Sequence, residues 1–498
     1  MKFKHLFLTA LAVASLASCS DDDGPDAPVF QQVDTYLSIQ ATPNMGLSSK
    51  SGNVTRTVAD GDDTESGTDR EQFINTLTAF VFNEDGSLAG VGKATAAENE
   101  GNSVERIEKI LVKVNALKVG DVSTTTLKIV LLANITGIQT PATLEELQGM
   151  AFSGISTYSF NTLHGDGDTY KNAALPMSSS IVEVKGNIIA GTAYNNWIEI
   201  KSEGTDVTWV GADDYKVNMD DSGKPMLGDD GLPTISSTDS YDKISVNNEN
   251  KIALTRYVAR IQLESLSTAF TDNNVNASFQ LKSVAVANVS NASRYFSETN
   301  GFQYILGTIS EEATGGNYDA TNAFFRGYPE EFERADYYLA KGSVSDAFIY
   351  DYSSKEISIN NQSDEVTFYD KTRVKDDSYE VTASEPEMAQ FYVFEFNGYK
   401  INKDETEEQI DKGISTLLVI VGDITNNGIT KKNRSFRIPI EHQTGSYAVK
   451  RNYIYKVNAT LTGEGTDNPD KNMLNAYVSF TIHVEDWKVV KQTENDVN

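Results

Sequence analysis

Apolar side chains in this chain recur mostly at every second position, in short runs separated by breaks rich in Gly, Asn, Asp and Ser. That is the period of a strand with one buried face and one wet face. Val33, Thr35, Leu37, Ile39 and Ala41 fall on one face of VDTYLSIQA, which Pro43-Asn44 ends. Ile74–Phe82 (INTLTAFVF) follows, and Thr126–Ile135 (TLKIVLLANI) predicts a buried central strand. Lys251–Leu266 alternates over Ile252 and Leu254, and again over Ile261 and Leu263 after Val258. Further strands are expected at Phe279–Val289, Gln390–Asn397, Ser415–Gly422 and Phe436–Ile440. Near the end, Tyr453, Tyr455, Val457 and Ala459 alternate with mostly polar neighbours. After a Gly-rich break Ala476, Val478, Phe480, Ile482 and Val484 do so for longer, with Trp487, Val489 and Val490 beyond Asp486. The fold class expected is all-β, with short helices confined to loops.

The breaks are informative too. Asn83-Glu84-Asp85-Gly86 predicts a hairpin turn with Gly at a positive-φ position. Pro141–Met150 predicts a short helix, Thr143 and Glu146 being spaced as a capping box. Gly24–Val33 reads as a tether. Gly46–Arg70 has almost no large apolar side chain and is expected to be an exposed, protease-accessible loop, with Arg56 inside it. Gly204–Tyr241 is an acidic insertion with Asp220-Asp221-Ser222-Gly223 and Asp229-Asp230-Gly231. A calcium loop needs a D-x-D-x-D-G run with Glu at its twelfth position, so a turn-rich surface hairpin is the preferred reading. His164, in a Gly/Asp loop, has no partner visible from sequence. Ser297–Glu380 is long, Tyr-bearing and poorly periodic, suiting loops, an adhesive face, or both. Ala287-Asn288-Val289 echoes Ala133-Asn134-Ile135, a weak sign of two similar halves.

Composition narrows the function. At 498 residues the chain can form two domains with full-sized cores. Lys+Arg 42 against Asp+Glu 71 leaves −29, which repels phosphate backbones and excludes a nucleic-acid partner. One Cys and four scattered His supply neither a disulfide nor a Cys/His zinc site, and no cofactor is implied. There is no G-x-S-x-G, H-E-x-x-H, Walker loop or dinucleotide fingerprint, so an enzyme is not expected. The Cys lies at a telling place. Lys2 and Lys4 precede an apolar stretch, Leu6–Leu16, too short to span a bilayer, and Leu16-Ala17-Ser18-Cys19 follows. This resembles a bacterial lipobox, which would make residues 1–18 a signal peptide and Cys19 the lipid-bearing N-terminus; the other reading is an ordinary secretory signal with an incidental Cys.

Several separated patches point one way. R-N-x-x-Y-x-V (Arg451–Val457), then G-x-G, then a strand ending in Glu485-Asp486-Trp487 resembles the C-terminus of the fimbrillins, the lipoprotein-derived (type V) pilins of Bacteroidetes, and most nearly the shaft subunit of the minor, or short, fimbria. Ile74–Val81, LLANITG, Leu175-Pro176-Met177-Ser178, Arg256 with Val258-Ala259-Arg260-Ile261, and Phe391–Glu395 are similar to further family elements. Ser20-Asp21-Asp22-Asp23 resembles the phylum's export tag for surface lipoproteins. The resemblance implies two β-sandwich domains of transthyretin-like or Greek-key type: 57–268 and 269–474, after a propeptide 19–56 and before a C-terminal strand and tail, 475–498. It implies cleavage between Arg56 and Thr57 by an Arg-specific protease, with Arg70 the less favoured site. It also implies a donor strand carrying Ala476, Val478, Phe480, Ile482, Val484, Trp487 and Val489. Expected partners are other copies of the chain, the accessory, tip and anchor subunits, the protease, and host or bacterial receptors. The expected location is a surface fimbria, with a precursor lipid-anchored at the outer membrane. Three alternatives stay open: a tip or accessory adhesin, an anchor subunit, and a monomeric glycan-binding surface lipoprotein.

Overall fold

The computed structural model describes residues 31–43, 64–66, 68–104, 106–116, 122–165, 167–190, short pieces between 195 and 226, 252–290, 292–296, 324–326, 343–372, 385–396, 399–401, 412–442, 448–467 and 478–488. Predicted features at Cys19, Arg56, Thr57, Ala476 and Val489, and the stretch Asp229-Asp230-Gly231, lie outside them.

The first domain is built on Gln31–Pro43 (β1), Thr76–Asn83 (β3), Leu88–Thr95 (β4), Arg106–Ala116 (β5), Val122–Ala133 (β6), Met177–Ser178 (β7), Val182–Ile189 (β8) and Ile252–Arg256 (β9); Thr64–Ser66 (β2) joins the other domain. Its strand order is β8-β6-β3-β4-β5-β1-β9-β7, and β7 also pairs with β6, so the ladder closes on itself. The predicted Leu-Pro-Met-Ser loop is therefore the closing strand, with Met177 and Ser178 both buried. β3 and β6 are buried on both faces. Leu77, Ala79 and Val81 of β3, with Leu127, Ile129, Leu131 and Ala133 of β6, fill the domain's own core. Their alternates Phe80, Phe82, Val130 and Leu132 join a second cluster that continues into the other domain. That double burial is why TLKIVLLA reads as an unbroken apolar run. The helix predicted at Pro141–Met150 is Leu144–Gly149 (α2). Thr143 caps it by accepting from the Glu146 amide at 3.1 Å, while the Glu146 carboxylate accepts from Ala142 N at 2.7 Å. The turn Asn83–Gly86 joins β3 to β4, with Gly86 at φ 84.

The second domain holds Val258–Thr268 (β10), Ser278–Ala287 (β11), Glu365–Thr367 (β12), Gln390–Phe394 (β13), Leu417–Asn426 (β14), Ile429–Pro439 (β15), Tyr453–Leu461 (β16) and Val478–Lys488 (β17). One sheet runs β2-β17-β16-β10-β12 with β13 also on β10; the other runs β11-β14-β15. Their facing side chains, among them Leu263, Leu281, Phe391, Ile420, Phe436 and Val457, pack as one cluster. The continuous strand predicted over Lys251–Leu266 is two strands, and the chain changes domain between them, at Tyr257. β10, predicted to close the first domain, lies instead at the centre of the second, parallel to β16 and antiparallel to β13. The predicted separate C-terminal unit differs as well: residues 478–488 form a strand of this sheet.

The echo between the halves is real in backbone terms. Asn134 (φ 59) ends β6 and Asn288 (φ 56) follows β11, both left-handed. Asn134 Nδ2 donates to Phe73 O and Leu175 O, each at 2.8 Å, and Asn288 Nδ2 donates to Ser415 O at 2.8 Å. Asn pays little for a left-handed backbone and its amide bonds groups a β-branched residue could not reach.

Candidate functional site

Two strands and the charged node between the domains form the candidate site. β1 lies between β5, antiparallel from Gln31↔Ala116 to Gln40↔Arg106, and β9, parallel at Ala41↔Ile252. Leu37, Ile39 and Ala41 are buried in the first-domain core, as the alternation predicts, and Val33 is half-buried. A register shift between Leu37 and Ile39, which alternation alone does not show, interrupts the ladder with β5, which resumes at Ile39↔Ile107. Each buried Leu or Ile contributes roughly 1.5–3 kcal/mol. Taking β1 away would bare the pairing edges of β5 and β9 and a trough of apolar side chains.

β17, the predicted donor, is seated in its own chain. It pairs antiparallel with β16 from Tyr453↔Asp486 to Leu461↔Val478, placing Phe480 opposite Ala459, Ile482 opposite Val457 and Val484 opposite Tyr455. Val478 and Ile482 are buried. On its other side β2 pairs in parallel with the last three residues, Thr64↔Asp486, Glu65↔Trp487 and Ser66↔Lys488. The end of the predicted Gly46–Arg70 loop is thus ordered as β2 and the start of Asp69–Gln72 (α1).

α1 begins in a full capping box. Glu71 N donates to Thr68 Oγ1 at 3.3 Å and Thr68 N donates to Glu71 Oε2 at 2.8 Å. The Glu71 side chain is fully buried between the domains. Arg260 Nη1 donates to its two oxygens at 2.9 and 3.2 Å, and Tyr392 donates its hydroxyl to Oε1 at 2.6 Å. Arg256 Nε donates to the Glu71 carbonyl at 3.0 Å and its Nη1 to Asn452 Oδ1 at 3.2 Å. His164, which caps the end of Phe160–Leu163 (α3), brings Nε2 to 3.4 Å from the Tyr392 hydroxyl and 3.9 Å from Glu71. Burial pushes the Glu71 carboxyl up, but the Arg260 charge, the neighbouring His164 ring and the hydrogen bond from Tyr392 hold it well below the usual carboxylate range. Burial takes Arg256 down to about 10, and it keeps its charge at neutral pH. Both arginines of R-x-V-A-R-I therefore meet at one residue, Arg260 at the Glu71 carboxylate and Arg256 at its main-chain carbonyl. Tyr257, between them, lies under the Arg451 guanidinium, 4.6 Å from the ring centroid, and Arg451 is paired with buried Glu395.

Glu71 is absent from the sequence reading because it follows a polar stretch. The signal available for it was the spacing Thr68–Glu71. Arg70 donates to Leu163 O and Gly165 O and stacks over Tyr170 at 4.8 Å, so it is held in place on α1. Among the described residues no group of three or more His, Cys, Asp or Glu could hold a metal ion.

Residues 44–256 match the family model described as major fimbrial subunit protein (FimA), ending where β9 ends and the chain leaves the first domain. This region is similar to the fimbrillin family. The fimbrillin match takes in β2 to β9, α1 and the Arg56 segment. Among solved structures, the chain is similar to a candidate cell adhesion protein of Parabacteroides distasonis, at 18% identity over 93% of this chain and 100% of that one, with a TM-score of 0.49. It is also similar to a fimbrilin (FimA) of Porphyromonas gingivalis, at 16% identity, 92% and 98% coverage and a TM-score of 0.46. The tip fimbrial protein Mfa3 of Porphyromonas gingivalis is more distant, at 12%, 91% and 100%, with a TM-score of 0.35. No curated protein sequence matches the chain.

Proposed function

We propose that this fimbrial protein is a shaft-type pilin, exported as a lipoprotein through Cys19, cut between Arg56 and Thr57, and polymerised head to tail by strand exchange. The observation that carries the reading is the place of β1: a strand buried through Leu37, Ile39 and Ala41 stands upstream of Arg56 in the chain, between two strands that lie downstream of it. One cut removes the lipid site and lets β1 leave, and the vacated slot takes a strand of like pattern. Residues 478–488 of a second copy offer one, with Val478, Phe480, Ile482 and Val484 at alternate positions. Four such side chains gain on the order of 10 kcal/mol before ordering costs. A head-to-tail contact does not close, so it extends into a filament. Adhesion to host or bacterial surfaces, with accessory, tip and anchor subunits at the filament ends, follows as the biological outcome of this reading.

The test is N-terminal sequencing of protein sheared from the surface, run beside unheated gel electrophoresis. A start at Thr57 with a high-mass ladder supports the pilin, and Arg56→Ala abolishes both. A lipidated start at Cys19 with monomer alone moves the assignment to an anchor or a monomeric binding lipoprotein.

A further inference from the structure

The two ends of the segment carrying Arg56 are fastened to different machinery. Upstream, β1 fills the first domain; downstream, β2 lies against the last three residues of β17. Among the described residues, β17 has β16 along one side and only β2 on the other. β2 is itself fixed from behind. Two residues after Ser66 the Thr68–Glu71 capping box begins, and Glu71 is buried and paired with Arg260 and Tyr392. A cut after Arg56 lies upstream of β2, so it leaves β2 joined to this anchor.

We propose that β2 is a latch on the C-terminal strand: Thr64–Ser66 holds Asp486–Lys488 in its own chain, and release of β17 for donation is a step separate from proteolysis. The inference rests on the strand-exchange reading above. It adds that emptying the acceptor slot and freeing the donor are governed by different contacts. The cut opens the slot, while the β2–β17 ladder, short and at the end of the strand, sets how readily the donor peels away from β16. A short parallel ladder at a strand end is the right size for this. It is weak enough to open against the apolar gain of a new slot, yet it protects an end that would otherwise fray. Uncut or unpartnered subunits thereby keep an apolar strand out of aberrant pairing.

The experiment uses full-length protein carrying Cys19→Ala, which removes the sole native thiol. In one variant Glu65→Pro removes a β2 amide. In a second, Ser66→Cys with Lys488→Cys places thiols on register partners, so that oxidation locks the latch. Each is cut with an Arg-specific protease and followed by unheated gels, with hydrogen exchange read at residues 478–488. Glu65→Pro is expected to exchange faster at 484–488 before any cut and to build its ladder about tenfold faster after it, the effect of roughly one net ladder hydrogen bond. The oxidised pair is expected to be cut normally and to form a ladder only after reductant. Ladder formation by the oxidised pair at the parental rate, or unchanged exchange in Glu65→Pro, overturns the latch while leaving the pilin reading intact. Complete cutting of the parent with no ladder overturns strand exchange itself, and the latch with it.

Discussion

Arg260 Nη1 lies 2.9 Å from Glu71 Oε1 although the two residues are 189 positions apart in the chain, and both are buried. Removing one partner leaves an uncompensated charge where water does not reach. Arg260→Met is therefore expected to cost about 3–5 kcal/mol in urea unfolding, against much less for Arg260→Met combined with Glu71→Gln. A double variant as damaged as the sum of the two singles would show that the residues do not act as a pair.

The parts of this arrangement differ in how visible they are along the chain. Alternation marks β1 and β16, where Leu37, Ile39 and Ala41 and then Tyr455, Val457, Ala459 and Leu461 bury one face, and a nearly unbroken apolar run marks β3 and β6, which bury both. Thr143 marks α2, because an N-cap is local chemistry, although the Glu146 carboxylate closes on Ala142 N and not on Thr143 N as a capping box would. Glu71 draws Arg256, Arg260 and Tyr392 from positions 185 to 321 residues away, and no local period encodes such a meeting. The same applies to His164, whose ring sits 4.3 Å from Phe160 but whose polar partners come from other elements. The division at Tyr257 is hidden for a different reason. β9 and β10 are both apolar strands, and one residue suffices to carry the chain from one sheet to the other.

Acid is expected to weaken the fold in two windows. His442 is buried against the Tyr453 ring at 4.5 Å and near the Tyr455 hydroxyl at 3.3 Å; burial, with Lys450 nearby, takes its pKa down from 6.5 to about 4. Between those values the unfolded chain binds the proton and the folded chain does not, so stability falls as pH drops from 6.5 towards 4, by on the order of 2–3 kcal/mol. His442→Gln should flatten the slope of urea midpoint against pH in that window. The second window belongs to Glu71, whose folded carboxyl lies below its ordinary 4.5; its contribution is present above 4.5 and is lost progressively below it. Glu71→Gln should remove that second slope and leave the His442 slope in place.

Asn134 combines a left-handed backbone with two donated hydrogen bonds and an acceptor, Oδ1, for the amides of Asn75 and Thr76 at 2.7 and 3.3 Å. Asn134→Gly keeps the backbone freedom and loses the side-chain bonds, which leaves buried donors and acceptors unpaired and is expected to cost about 2–3 kcal/mol. Asn134→Ala adds backbone strain of roughly 1 kcal/mol to that loss. Thermal unfolding of both variants separates the two effects: equal midpoints would mean that backbone conformation contributes nothing there.

If β1 and a donor strand compete for one slot, a free copy of β1 should block polymerisation. A synthetic peptide spanning Gln31–Pro43, added in excess while the protein is being cut, is expected to shorten the ladder by capping emptied subunits. The effect should depend on side chains that fill the slot, since an extended peptide with matching backbone groups but no apolar anchors gains little on leaving water. Leu37 is the most informative position, being fully buried opposite Ile110 of β5. A Leu37→Ala peptide loses roughly 1.5–3 kcal/mol of burial and should need about ten- to hundredfold more material for the same shortening. Asp34 makes a control, because a change there alters the same strand at a position off the Leu37–Ala41 alternation. Equal potency of the parent and Leu37→Ala peptides would show that the slot is not what they occupy, and an unchanged ladder at saturating parent peptide would remove β1 from the assembly step altogether.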